Sequence, residues 1–458
     1  MKIFGPGAFA ARLPSFLAAI TMGAVLFWWG ESRISKGTGW WAMLIWCTNI
    51  HVFIEARSAV PEMVLVLFQF LSFLLLIEGA GLTGRKINKG KIILSWVCAG
   101  LAVMAKGPVG FLLPGVAAVV CAFWLRGWKG FIHFVIQAWG NIGPVVFVVI
   151  VLPWYGAMAY IHGDLFLQEF FYKNTLARFT GSIAYHPYPF WSVYLPVLVV
   201  GFWLWHPLWG KAFSRLLGEK LPTGYVLKAM LVWSVTIIVF YGVAANRLHH
   251  YILASYPGLC LLIGQGAARS RDFSGSSRAV LAIQGIIEIG AAVFLWKYIS
   301  TGLPFSLKPL AVIMVVVGIL TLLTVFKTYR DRGFLSPWLQ ILRAGAFLSV
   351  LLGAAYLYSG IYQPQIAGRY LSGEAPALYK HEQSAVIFYA QRRLPILVNA
   401  GEVFSKLSKE RVLRLWLRSI DFNSLLADLP RSVKHIVLWE GYDKDDRVQV
   451  VELKQGGE

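Results

Sequence analysis

Acidic side chains are scarce in this chain. It carries 22 Asp and Glu against 42 Lys and Arg, and charged residues fill only 14% of its 458 positions. So few charges cannot solvate a globular surface, and with 57% hydrophobic residues a soluble fold is excluded. Cysteine is rarer still. Cys47, Cys98, Cys121 and Cys260 all fall inside apolar runs, which argues against disulfides or metal ligation and for small packing residues. No Walker-type glycine loop is present, so nothing is built to cradle a nucleotide. The opening, MKIFGPGAFAARLPS, has no basic stretch, short apolar core and small-residue cleavage site of a secretory signal.

What the chain has instead is apolar runs long enough to cross about 30 Å of hydrocarbon as helices. Twelve spans are expected, at 14–30, 38–54, 62–78, 92–104, 108–125, 139–157, 190–208, 225–242, 251–268, 279–298, 308–326 and 344–360. The net charge of +20 raises the question of nucleic acid, but its distribution answers it. Residues 361–458 carry 14 Lys and Arg against 12 Asp and Glu, whereas residues 1–360 carry 28 against 10. The excess lies between apolar runs, where it orients helices and meets anionic lipid. No nucleic-acid-binding module is visible.

Alternate loops differ in basic residues. One set, from Arg33 and Lys36 through Lys327, Arg330, Arg332 and Arg343, holds eighteen. The other holds Arg57, Lys106, Lys173, Arg178, Arg247, Lys297 and Lys308. The positive-inside rule makes the first set cytoplasmic, so Met1 and residues 361–458 are expected outside. Twelve spans with both ends outside imply either that one helix is miscounted or that a helix precedes Met1. Residues 1–360 thus read as a membrane domain and 361–458 as a small α/β domain. In the latter, VIFYA, PILVNA, HIVLWE and VQVVEL look like strands, and KLSKERVLRLWLRSI like an amphipathic helix.

Polar groups near a membrane carry information because they are costly there. Four clusters fall on the expected outer side. FIEARSAVPEMVLVLF holds Glu55, Arg57 and Glu62. Pro61 and a first-turn acid suit a helix start, and Arg57 could simply anchor at headgroups. GLAVMAKGPVGFLLPG puts Lys106 at a hairpin tip, where it either snorkels or meets phosphate. In LQEFFYKNTLARF, Glu169, Lys173, Asn174 and Arg178 recur at helical spacing among aromatics, as in a helix lying at the interface. NRLHHYILASYPG packs Arg247, His249, His250 and Tyr251 into a turn. Adjacent histidines cannot both face one site on a helix, so they are not a two-histidine metal pair. Lys106, Arg178, Arg247 and Tyr251 could converge on a lipid phosphate at the outer leaflet. The chemistry this suggests is displacement at a sugar carbon with that phosphate leaving.

At this point AARLPS, ARSAVPE, AKGPVG, LPWY, EFFYKNTLARF, WSVYLP and RLHHY, in that order, resemble the membrane-embedded glycosyltransferases of GT-C type. These are typified by lipid A aminoarabinose transferase and the protein O-mannosyltransferases. The resemblance covers about residues 3–260. It implies inverting transfer of a sugar from a polyprenyl (undecaprenyl) phosphate to an acceptor such as lipid A, another envelope glycan or a protein, at the periplasmic face of the bacterial inner membrane. Arg178 and Tyr251 match implied phosphate ligands, and Lys106 and Glu62 match residues lining the same cavity. Arg57, Glu169, Arg247 and His250 complete the candidate substrate-binding set.

The departures are specific. The family usually has Asp at Glu62, and its Lys-Leu-Pro-His-Tyr reads Arg247-Leu248-His249-His250-Tyr251 here. Asn174 stands where a histidine is often found, which weakens a metal site; no metal ligands are assigned and no cofactor is certain. The family's first outer loop, with an Asp-Glu pair and a Glu-Lys-Pro-Pro segment, precedes the stretch found here at residues 4–15. The expected base would therefore lie before Met1. Of the outer acids Glu55, Glu62, Asp164 and Glu169, Glu62 is the best catalytic candidate. A transporter or flippase of lipid-linked sugar is the rival reading, with Glu288 as a lone intramembrane relay, and an inactive lipid-binding relative is the other.

Overall fold

The computed structural model describes residues 8–181, 188–218, 223–269, 275–299, 308–330, 337–361, 370–371, 375–381, 386–387, 390, 394–430, 432–443 and 446–455. It divides into two compact units, one of residues 8–349 and one that begins at residue 350.

The first unit is helical. In chain order its helices are α1 (Ala8–Arg33), α2 (Thr38–Cys47), α3 (Ile50–Ala56), α4 (Glu62–Gly79), α5 (Lys89–Lys106), α6 (Val109–Trp139), α7 (Gly143–Phe166), α8 (Arg178–Thr180), α9 (Phe190–Gly201), α10 (His206–Gly218), α11 (Thr223–Val243), α12 (Tyr256–Arg269), α13 (Gly275–Phe294) and α14 (Lys308–Arg330). Helix α15 (Pro337–Ile361) runs across the boundary between the units. A π-helical stretch, Leu167–Ala177, extends α7, and a 3-10 stretch, His249–Ser255, leads into α12.

Among the described residues eight helices are long and apolar enough to cross a membrane, and nine if the pair α9–α10, bent by 68°, is one span. This is fewer than the twelve expected, for identifiable reasons. The 38–54 run is broken because the Asn49 side chain accepts from the Val52 N–H at 3.1 Å and so starts a new helix, α3. The 92–104 run lies in an 18-residue helix that has lysines at both ends. The 344–360 run lies in α15, whose apolar stretch among the described residues is Leu339–Ala355. No residue in the spanning window of α7 is fully buried; one side packs on α5, where the Tyr155 hydroxyl donates to the Val103 carbonyl at 3.1 Å, and the rest is open to lipid.

Charge and glycine decide how the helices join. Glu31 accepts from the Gly37 and Gly39 N–H groups, both at 2.9 Å, and fastens the turn from α1 to α2. A Cβ on Gly39 would fall 1.9 Å from the Phe27 carbonyl oxygen, so only glycine allows this approach. Buried Glu78 gathers Arg33 at 2.6 Å, Lys91 and the Trp29 indole N–H at 2.9 Å, which links α1, α4 and α5.

The second unit holds a five-stranded sheet, β1 (Pro376–Tyr379), β2 (Ile396–Leu397), β3 (Val412–Arg418), β4 (Val433–Asp443) and β5 (Asp446–Gln455), with helices α16 (Ala400–Glu410) and α17 (Ser419–Asp428). The spatial order is β2-β1-β3-β5-β4, with β2, β1 and β3 parallel and the β5 pairings antiparallel. Two expectations are corrected here. KLSKERVLRLWLRSI is not one helix. The chain leaves α16 at Arg411, with φ 62°, and Val412–Arg418 becomes a central strand. Its Leu413, Leu415 and Leu417 pack on one face and Trp416 on the other, a period of two that suits a strand. In VIFYA, Val386, Ile387 and Ala390 are helical, while residues 388–389 lie outside the described residues. PILVNA, HIVLWE and VQVVEL do contribute β2, β4 and β5.

Candidate functional site

Three polar segments distant in sequence meet within the helical unit. The first is the turn from α3 to α4. The Ser15 hydroxyl donates to the Val60 carbonyl at 2.7 Å, tying AARLPS to this turn. Pro61 then precedes Glu62, the first residue of α4, where a carboxylate complements the helix dipole. The second is the end of α5. Gly107 has φ 88° and ψ −163°, a conformation that is essentially glycine's alone. It swings the chain from Lys106 into Pro108 and α6. The Gln69 side chain donates to the Val109 carbonyl at 2.8 Å and holds α4 against this turn. The third is the 3-10 stretch, anchored to α11 by the Trp233 indole N–H on the Ala254 carbonyl at 2.6 Å and the Ser234 hydroxyl on the Ser255 carbonyl at 3.0 Å.

Glu62 is the hub where they meet. Its Oε1 forms an ion pair with Lys106 Nζ and lies 3.3 Å from His250 Nε2. The Lys106 ammonium sits 5.2 Å from the centre of the Tyr251 ring, and Tyr251 stacks on Tyr241 at 4.8 Å. Glu62, Gln69, Lys106, Tyr241, His250 and Tyr251 line a narrow cavity, with about 10 Å³ of room for the centre of a water-sized sphere. That is space for about one water. A buried carboxylate is costly unless paired, and Lys106 supplies the counter-charge. The Lys106 side chain keeps 29% of its surface exposed. An ammonium has three donors, so an anion could share Lys106 with Glu62.

The other expected residues sit differently. Arg57 is exposed, its guanidinium 5.4 Å from the Phe53 ring centre. Glu169 is exposed and pairs with Lys173 one turn along, and Asp164 is exposed. Arg247 donates to the Gly242 carbonyl from Nε (3.2 Å) and Nη2 (2.9 Å), and to the Tyr188 carbonyl from Nη1 (2.7 Å), so it clamps backbone. The Arg178 and Asn174 side chains lie outside the described residues. The backbone beside Arg178 is placed: the Phe179 carbonyl accepts from the Ala245 N–H at 3.0 Å, so this segment runs alongside the approach to Arg247. His249 and His250 turn to different acids, His249 Nε2 to Glu55 at 3.4 Å and His250 Nε2 to Glu62.

Sequence reading missed Tyr241 and Gln69 in the cavity wall. Gln69 was signalled by being the only amide inside the apolar run of α4; Tyr241 looked like one more aromatic in a spanning run. The expectation for Glu288 is corrected. It is not a lone acid, because it accepts from the Trp203 indole N–H at 3.0 Å and the Thr321 hydroxyl at 2.6 Å, and Arg343 Nη2 lies 3.8 Å away. Arg343 was assigned to a loop, but it lies within α15 and is 1% exposed.

A bundle of helices long and apolar enough to cross a membrane, with a cationic and phenolic cluster facing one buried acid, gives the chain the architecture of a polytopic membrane protein. Residues 2–166 match the model of the dolichyl-phosphate-mannose-protein mannosyltransferase family. The chain is 32% identical over 262 residues to an uncharacterized protein of Aquifex aeolicus, covering 57% of this chain and 56% of that one. It is 27% identical over 289 residues to the undecaprenyl phosphate-alpha-4-amino-4-deoxy-L-arabinose arabinosyl transferase of Edwardsiella ictaluri, covering 63% and 50%. The chain thus spans about half the length of the curated relatives it matches. Its fold is similar to crystal structures of ArnT from Cupriavidus metallidurans, one bound to undecaprenyl phosphate and one in the apo state. Both give a TM-score of 0.76, cover 98% of this chain and 85% of that one, and are 18% and 20% identical. At that identity the likeness establishes the fold alone.

Proposed function

We propose that this chain binds a polyprenyl-phosphate-linked sugar, undecaprenyl phosphate being the lipid of the bacterial relatives, and takes part in inverting transfer of that sugar to a lipid, glycan or protein acceptor. The reaction would occur at the periplasmic face of the inner membrane, the side assigned to Lys106 and Tyr251 by loop charge. The observation that carries this reading is the meeting of Lys106, His250 and Tyr251 around Glu62. An ammonium that is partly exposed and a phenol beside it suit one charged oxygen cluster, such as a phosphodiester. Glu62 would hold Lys106 and His250 in place and remains the candidate acid nearest the phosphate. Arg178 enters as a second phosphate ligand, supported by the backbone bond that draws its segment beside residue 245.

The test uses purified full-length protein with a polyprenyl-phosphate sugar and candidate acceptors. Transfer predicts equimolar release of polyprenyl phosphate and glycosylated acceptor. A transporter would move the intact donor across a vesicle membrane and release neither. The neutralised Glu288 gives the transporter reading no support of its own.

A further inference from the structure

His51 and Glu55 lie four residues apart on α3 and therefore share one face of it. Both are buried, at 5% and 4% exposure. His249 reaches the same carboxylate from the 3-10 stretch. Glu55 Oε1 lies 3.7 Å from His51 Nε2 and 3.4 Å from His249 Nε2, and one ligand atom from each of the three residues falls within 4.8 Å of the others. Tetrahedral ligands about 2.0–2.2 Å from a zinc ion stand roughly 3.3–3.6 Å apart, so Glu55 and His249 already have that spacing. The His51–Glu55 edge, at 3.7 Å, is slightly longer, and the His51–His249 edge closes with a small inward movement of His249, whose side chain is 56% exposed.

A separate observation bears on what His51 offers. The Tyr256 hydroxyl lies 3.3 Å from the Val197 carbonyl and 3.1 Å from His51 Nδ1. When it donates its one hydrogen to the carbonyl, it accepts from Nδ1, and in that tautomer His51 Nε2 carries a lone pair. That Nε2 is fully buried and has no hydrogen-bond partner among the described residues. In that tautomer a lone pair faces the Glu55 carboxylate, 3.7 Å away, and a cation between them would satisfy both. A hydrogen bond on the far ring nitrogen, here with the Tyr256 hydroxyl, is also what orients a metal-binding histidine.

We propose that His51 Nε2, the Glu55 carboxylate and His249 Nε2 form a binding site for a divalent transition metal of the zinc class. Two imidazoles and one carboxylate suit that class over calcium or magnesium. Three protein ligands leave a fourth position, on the exposed His249 side, for water or an oxygen of a bound group. The site shares no ligand with the Glu62 cavity beside it and does not depend on the sugar-transfer reading.

The test is titration of chelator-stripped, full-length protein in detergent with cobalt(II), followed by zinc competition. We expect one equivalent of cobalt, a visible absorption band of tetrahedral type, and its loss on adding zinc. His249→Ala, at an exposed side chain, and Glu55→Gln should each weaken uptake at least tenfold while melting as folded protein, and His133→Ala should leave it intact. Absence of stoichiometric cobalt binding, or an unchanged band in both His249→Ala and Glu55→Gln, would overturn the proposal.

Discussion

Replacing Arg343 tests how the polar residues between α13, α14 and α15 are held. Arg343 donates to the Gln284 side-chain carbonyl at 3.2 Å and faces Glu288 at 3.8 Å. Glu288 in turn takes the Trp203 and Thr321 donors, and Gln340 donates to Thr324 at 3.3 Å. Arg343→Met removes the only cation described beside Glu288 and leaves a buried carboxylate with two neutral donors. Breaking a buried pair in this way costs about 3–5 kcal/mol, whereas replacing both partners with apolar or neutral groups is often neutral. Glu288→Gln with Arg343→Met should therefore recover most of the loss, giving a coupling of about 3 kcal/mol in a double-mutant cycle. The assay is reversible unfolding of the detergent-solubilised chain followed by tryptophan fluorescence. Additive losses in the double variant would refute the pairing. So would an Arg343→Met variant as stable as the parent.

Other predictions reach different parts of the chain. Gly107→Ala should cost about 1–3 kcal/mol, because it forces a side chain into a glycine-only conformation with its Cβ 3.0 Å from the Phe170 ring; a lower thermal midpoint checks this, and an unchanged one contradicts it. Asp421, in the α/β unit, is 3.2 Å from Lys380 and 3.0 Å from Arg418. Burial is the largest single influence and would raise its carboxyl, but the hydrogen bonds from Arg418 and Lys380 outweigh it and hold the carboxyl below its usual range. A depressed folded value stabilises above the unfolded value of about 3.9 and loses that effect as pH falls through the lower folded one. Asp421→Asn should thus speed amide exchange in β3 at neutral pH, and the difference from the parent should shrink below about pH 4; a pH-independent difference would count against the linkage.

Long, uniformly apolar helices were legible from sequence because a membrane solvent demands little else. The misread spans are those where a polar residue changes the local outcome: Asn49 starts a new helix after Thr48, and Lys89, Lys91 and Lys106 charge both ends of α5. Arg343 was taken for a loop residue because its counter-charge, Glu288, lies 55 positions away and only packing joins them. Val412–Arg418 followed the lysine-rich α16 without a proline or glycine to mark the change, so its alternation was hidden within a helical pattern. In the candidate site, Glu62, Lys106, His250 and Tyr251 could be singled out as costly polar groups beside apolar runs. Their pairing could not be read, since which acid each histidine faces depends on the turn of the 3-10 stretch. His51 was hidden inside an expected span.

The central claim is that Lys106 and Tyr251 hold a lipid phosphate, and equilibrium binding of undecaprenyl phosphate to the full chain in nanodiscs tests it most directly. A charge-assisted hydrogen bond contributes about 1.5–3 kcal/mol, so Lys106→Ala should weaken binding by roughly 10- to 100-fold. Tyr251→Phe removes one neutral donor and should weaken it by roughly 2- to 10-fold. Arg57→Ala, at an exposed guanidinium away from the cavity, serves as the comparison for general loss of charge. Affinity unchanged in both Lys106→Ala and Tyr251→Phe, or lowered equally by Arg57→Ala, would contradict the account.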